Sequence, residues 1–301
     1  VAPASCRQAR GRRDGGATLA LGLLALPALL LVATGGRYVT QASGLTGLAA
    51  IRVPPGFVVE KAAGADLTDY PMLGTLDDRG RLFVCESSGN NKVSNQHMIA
   101  HPNFRVRMLE DVDGDGVYDR STVFADRLTL PAGAVWYRGS LYVASPPDLF
   151  RFTDTNGDGV ADQRQVVATG WNLSSNAASL HGPFLGPDGW LYLTDGRHGF
   201  KIKTKEGTLL EGRASRIWRL RPDGTGIEWV SGGGFDNPVE LVFTAAGEMI
   251  GTMTYFTDPK HGQRDALLHF VEGGVYPKPH TVVSEFKRTG DLMPVMTKFS
   301  R

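Results

Sequence analysis

Cysteine is scarce, with only Cys6 and Cys85 among 301 residues. Two cysteines make no disulfide framework, and Cys6 falls in an N-terminal segment of targeting type. Cys85, in "RLFVCESSG", therefore reads as a lone buried thiol. The absence of a CxxCH excludes covalent haem of that kind. Net charge is nearly absent too: 32 Lys and Arg stand against 31 Asp and Glu, +1 in all. Nothing in that balance asks for nucleic acid or an acidic surface as partner. After residue 50 no stretch sustains a helical period. "RDALLHFVEGG" is the best candidate, and it is short.

What is present points to strands. Hydrophobic residues make up 42% and charged ones 21%, an ordinary globular composition that can bury a sizeable core. Glycine is abundant at 38 and proline reaches 17, which favours many short strands joined by tight turns. Four segments repeat one signature: "DRGRLFVCE", "YRGSLYVAS", "PDGWLYLTD" and "AAGEMIGTM". In each a glycine precedes an apolar run, as in a hairpin turn feeding an inner strand. Gly80, Gly139, Gly189 and Gly247 are separated by 59, 50 and 58 residues, the spacing of four-stranded propeller blades with insertions. "RIWRLRPDGTGIEWVSGG" adds a strand pair around Asp223-Gly224. The expected fold is an all-β propeller over residues 51–301, with a β-sandwich as the alternative. Such a span holds four or five blades, so a propeller truncated at its C-terminus is expected.

The first 36 residues read differently. Arg7, Arg10, Arg12 and Arg13 precede an apolar run from Ala17 to Ala33, the arrangement of a secretory n-region and h-region. A cleaved signal peptide and a retained membrane anchor both remain open, with residues 37–50 as a linker. Either places the remainder outside the inner membrane, periplasmic or anchored to its outer face, with membrane contact only through this segment.

Two acidic loops carry the clearest ligand pattern. Asp111, Asp113, Asp115, Gly116 and Asp119 recur 43 residues on as Asp154, Asn156, Asp158, Gly159 and Asp162. Calcium takes oxygen ligands from alternate positions of such a loop, here including the carbonyls of Val117 and Val160, with glycine at the sharp sixth position. The twelfth positions are Thr122 and Gln165 rather than the glutamate of an EF-hand, and the flanks read as strand. Two structural calcium loops on β-hairpins are expected; a metal-free Asx-rich turn is the alternative.

Other candidates cluster around "SLHGPFLGPDGWLYLTDGRHG". His181 has the chemistry of a general base, with Asp195, Arg197 and His198 at the far end of the following strand, although a histidine in a turn is also a common structural residue. His97 and His101 lack the glutamate of an HExxH motif and are followed by Pro102, which reads as loop or strand. "GGGFDNPVELVF" is a glycine-rich bend with no helix behind it, hence no phosphate cradle.

From Ile51 onward, "LEDVDGDGVYDRSTVFADRL", "GPDGWLYLTDGRHG", "RIWRLRPDG", "GGGFDNPVELVF" and "RTGDLMPVMTKFSR" resemble the membrane-bound dehydrogenase-like family of secreted bacterial proteins. These are relatives of the soluble PQQ-dependent glucose and aldose sugar dehydrogenases. The resemblance implies a six-bladed propeller, oxidation of a sugar or alcohol with PQQ, and a cytochrome c-type electron acceptor. It implies His181 as the base and Asp195 as the residue that orients it, with Arg197 and Asn237 toward the cofactor. The family's quinone-contacting "RNP" stands here as Asp236-Asn237-Pro238. An acid in the arginine's place would repel a tricarboxylate. The other reading is a calcium-stabilised propeller that binds a glycan or a partner protein without catalysis.

Overall fold

The computed structural model describes residues 47–87, 89, 93–175, 178–213, 215–258, 263–277 and 291–299. The signal or anchor segment expected over residues 1–36 lies outside them. The chain divides into two units, residues 1–62 and 63–301. In the first, a 3-10 turn over Gly47–Ala50 precedes exposed, extended chain. No helix among the described residues is long and apolar enough to cross a membrane.

The second unit is a succession of four-stranded antiparallel sheets in a propeller arrangement. The first blade comprises β1 (Pro71–Leu76), β2 (Leu82–Glu86), β3 (Phe104–Glu110) and β4 (Arg120–Leu128), with helix α1 (Asn95–Ala100) between β2 and β3. The second comprises β5 (Ala134–Tyr137), β6 (Ser140–Ser145), β7 (Asp148–Thr153) and β8 (Gln163–Thr169). The third comprises β9 (Leu180–Leu185), β10 (Leu191–Asp195), β13 (Arg216–Leu220) and β14 (Glu228–Gly232). A separate hairpin, β11 (Phe200–Lys203) and β12 (Leu209–Gly212), is inserted between β10 and β13. The fourth comprises β15 (Leu241–Phe243), β16 (Met249–Asp258), β17 (Gln263–Phe270) and β18 (Thr297–Phe299). Four blades are thus seen among the described residues.

Burial explains why the repeat is visible in the sequence. The four glycine-led signatures supply β2, β6, β10 and β16, the second strand of each blade. All residues of β6 and β10 are buried, because blades pack against both faces of a sheet. A strand covered on both faces reads as a continuous apolar run. The outer strand β8 is mostly exposed. Successive blades share three cores. Phe83, Phe124 and Phe152 fill the first, Trp171 and Trp218 the second, Phe235, Phe270 and Tyr276 the third. Trp171 meets Trp218 edge-on at 6.2 Å, a favoured aromatic geometry.

Two local expectations are corrected. "RDALLHFVEGG", the helical candidate, forms β17 and the turn after it, because its apolar positions pack against β16 and the third core. "HMIAHPNF", read as loop or strand, carries α1. Ser94 caps that helix by accepting the His97 N–H, and Pro102 follows its last turn. Cys85 is a free, fully buried thiol, pushed up to about 12 by burial.

The inner strands β1, β5, β9 and β15 line a central cavity of about 420 Å³. Gly234, in the bend that leads to β15, has φ +70°, and a Cβ there would sit 1.7 Å from the Tyr276 carbonyl oxygen. Only glycine permits this backbone-on-backbone approach, which fixes the path of the connection into the fourth blade.

Candidate functional site

In an up-and-down blade, the chain entering the first strand and the loop leaving the second lie at the same end. That rule gathers the candidates. His181 stands at the entry of β9, Arg197 and His198 follow β10, and Asp236 and Asn237 lead into β15. All lie at one end of the blades; Gly182, next to His181, and Glu240, three residues after Asn237, line the channel, whereas His198 lines a separate cavity with Asn172 and Arg213. The acidic loops join β3 to β4 and β7 to β8, so they lie at the opposite end. Tyr118 Oη confirms this by donating to the Gly80 carbonyl in the β1–β2 turn at 3.0 Å.

The decisive contact at the mouth is long-range. Arg197 Nη1 lies 2.5 Å from Asp236 Oδ2, joining the loop after β10 to the connection into β15. Asp236 is 2% exposed, whereas the Arg197 side chain is 36% exposed. The acid that would repel an anionic cofactor is thus paired with the part-exposed guanidinium side chain of Arg197, from the loop after β10. Ser215, which the sequence reading missed, fixes this bend: its hydroxyl donates to the carbonyls of Phe235 at 3.0 Å and Asp236 at 2.8 Å. Asn237 Oδ1 is buried with no hydrogen-bond partner among the described residues, an acceptor position that a ligand could complete.

His181 is buried, at 4% exposure. The β9–β10 register pairs it with Thr194 and pairs Asp195 with Leu180. Strand alternation therefore sends His181 and Asp195 to opposite faces of the blade. Asp195 turns toward the second core, where its carboxylate accepts the Trp218 Nε1–H at 3.4 Å and lies near the charge of Arg216. Burial holds its carboxyl well above the usual range, against the lowering effect of both neighbours. The described partners of Asp195 do not include His181. His198 is pushed down by burial and by the charge of Arg197, which favours a neutral imidazole.

At the other end the two acidic loops repeat the same set of backbone N–H to side-chain bonds. Asp111 accepts the N–H groups of Gly114 at 2.7 Å and Gly116 at 2.9 Å, and Asp154 accepts those of Gly157 and Gly159 at the same distances. Asp115 and Asp158 each accept, at 2.8 Å, from the valine two residues on, Val117 and Val160. Asp119 and Asp162 close the loops onto the N–H groups of Val112 and Thr155. Asp113 accepts from Asp115 N–H, as Asn156 does from Asp158 N–H. Asp111, Asp113 and Asp115 bring carboxylate oxygens within 4.8 Å of one another. Gly116 at φ +95° and Gly159 at φ +86° make the turn that permits this. Hard oxygen donors in this pattern suit calcium.

Residues 45–296 match the family described as "Domain of unknown function (DUF7133)". The chain belongs to that family. No curated protein matches it in sequence. The PQQ-bound aldose sugar dehydrogenase of Streptomyces coelicolor is structurally similar, with a TM-score of 0.51 at 16% identity over 80% of this chain and 71% of that one. The PQQ domain of pyranose dehydrogenase from Coprinopsis cinerea aligns with a TM-score of 0.45 at 15% identity, over 70% of this chain and 54% of its own. The Streptomyces likeness is one of fold, a β-propeller.

The burial of Asp195 generates a pH prediction. A carboxyl whose folded-state pKa is raised contributes stability below its ordinary value, and that contribution is lost as pH rises through the folded value. Thermal melts from pH 4 to 8 should show Asp195→Asn gaining on the parent as pH rises. A deficit that is constant with pH would show that the charged carboxylate itself is required.

Proposed function

We propose that this chain is an exported dehydrogenase that oxidises a sugar or alcohol at the channel mouth bounded by β9 and β15. The observation that carries this reading is the Arg197–Asp236 pair beside Asn237, which answers the charge objection raised by the acid in the "DNP" bend. The residues at the mouth fit PQQ: Arg197 would meet a carboxylate of the cofactor with its remaining N–H donors, and Asn237 would supply an amide contact. PQQ, when bound, supplies the hydride acceptor. The chain's own part is to hold the substrate hydroxyl near His181 and to take its proton on the imidazole. His181, at 4% exposure, sits where bulk water is largely excluded. Electrons would leave to a cytochrome c-type acceptor, and the N-terminal segment would direct the chain to the periplasm or hold it at the outer face of the inner membrane.

We assign the acidic loops a structural role as two calcium sites. Their place at the opposite end of the blades from the mouth, and the engagement of their carboxylates by the loops' own N–H groups, support stability rather than catalysis.

A second reading is favoured by Asp195, whose carboxyl is buried against Trp218 rather than beside His181. In that reading the mouth binds a glycan or partner protein without oxidation.

The full-length protein loaded with PQQ and calcium should reduce a dye with one member of a sugar and alcohol panel. His181→Ala should lower that rate by about 100-fold or more, the usual contribution of a general base. No change in the quinone spectrum together with no turnover would leave the binding reading. Separately, chelation of calcium should lower the melting temperature by several degrees, with Asp115→Ala reproducing part of the loss. An unchanged melting temperature after chelation would remove calcium from the account.

A further inference from the structure

Tyr137 pairs with Ser140 across a two-residue hairpin turn whose central residues, Arg138 and Gly139, both have positive φ, at 49° and 77°. Such a turn ordinarily takes Asn or Gly first, and an arginine gains nothing there from its own backbone. Strain of this kind, kept on the surface, invites a search for what the side chain does. The Arg138 guanidinium lies over the Tyr137 ring at 5.0 Å, and Arg221 lies over Trp190 at 4.5 Å in the adjacent blade. Arg151 donates from Nε to Ser140 Oγ at 3.1 Å, in the same turn. These three arginines, with Tyr137, Tyr142 and Trp190, line a cavity of about 550 Å³ between the second and third blades. It opens at the end that carries the acidic loops, away from His181.

The charge in this cavity is only partly balanced from within. Two carboxylates, Asp188 and Asp223, face three guanidiniums. Both carboxylates are engaged by their own turns. Asp188 accepts from Trp190 N–H at 3.2 Å and Tyr192 Oη at 2.9 Å, while Asp223 accepts the N–H and hydroxyl of Thr225 at 2.9 and 2.7 Å. Lys205, which donates to the Asp223 carbonyl, adds a further cation at the rim. Guanidiniums stacked on aromatic rings are held in place, with their N–H edges left for a ligand, the geometry suited to planar or tetrahedral oxyanions.

We propose that this cavity is a second ligand site, for a molecule bearing a phosphate or carboxylate group, with Arg138, Arg151 and Arg221 as its anion-binding residues. It is separate from the channel mouth and does not depend on the reading given to that mouth. The test is calorimetric titration of the whole chain at low salt with inorganic phosphate, with glucuronate and, as an uncharged control, with glucose. Phosphate or glucuronate should bind with a Kd of about 1 mM or tighter, and whichever binds identifies the source of the anion. Arg138→Gly and Arg221→Gln should each weaken binding by about tenfold or more. Arg138→Gly should melt no lower than the parent, since glycine is favoured in that turn, so its loss of binding would not reflect unfolding. Absence of binding by both anions, equal binding of glucose, or full affinity in Arg138→Gly would overturn the proposal.

Discussion

The constraint on which the second unit rests is that each blade must bury both faces of its sheet. A single four-stranded sheet with aromatic residues on both sides has no stable existence in water, but stacked on neighbours it gains a continuous core. Three such cores join the four blades, with Phe83, Trp218 and Phe270 among their fully buried members. The same requirement turns every blade's strand ends toward two common mouths. The acidic loops close hairpins at one end, while His181, Arg197, Asp236 and Asn237 lie at the other.

At that second mouth, one ion pair decides the electrostatics. Asp236 is buried in the bend before β15, where an unpaired carboxylate would be costly. Arg197 reaches it from the loop after β10, and Ser215 holds the intervening carbonyls. The positive charge is shared with Asp236, so any anionic ligand there competes with, or joins, an existing pair.

Much of the architecture was legible because burial on both faces writes itself into the sequence as turn glycine followed by apolar run. "YRGSLYVAS" and "PDGWLYLTD" became β6 and β10, and the hairpin around Asp223-Gly224 became β13 and β14. The six-residue helix α1 was not legible, because a helix that short has no period to detect; its signals were Ser94 and Pro102 alone. β17 misled because a strand packed on one face and covered at its end mimics a short helical stripe. The twin acidic loops could be aligned by spacing, being local. The Arg197–Asp236 pair could not, since 39 residues and a whole hairpin insertion separate its members. Nor could the turning away of Asp195 from His181, which follows from a one-residue register between β9 and β10.

The most direct measurement is a double-mutant cycle on Arg197 and Asp236, with stability read from denaturant unfolding of Arg197→Ala, Asp236→Ala and the combined variant. If the pair organises the mouth, Arg197→Ala should cost about 1.5–3 kcal/mol by removing a charged hydrogen-bond partner of a buried carboxylate. The combined variant should then recover part of that loss, a coupling of about 2 kcal/mol or more. Additivity within about 0.5 kcal/mol would contradict the account.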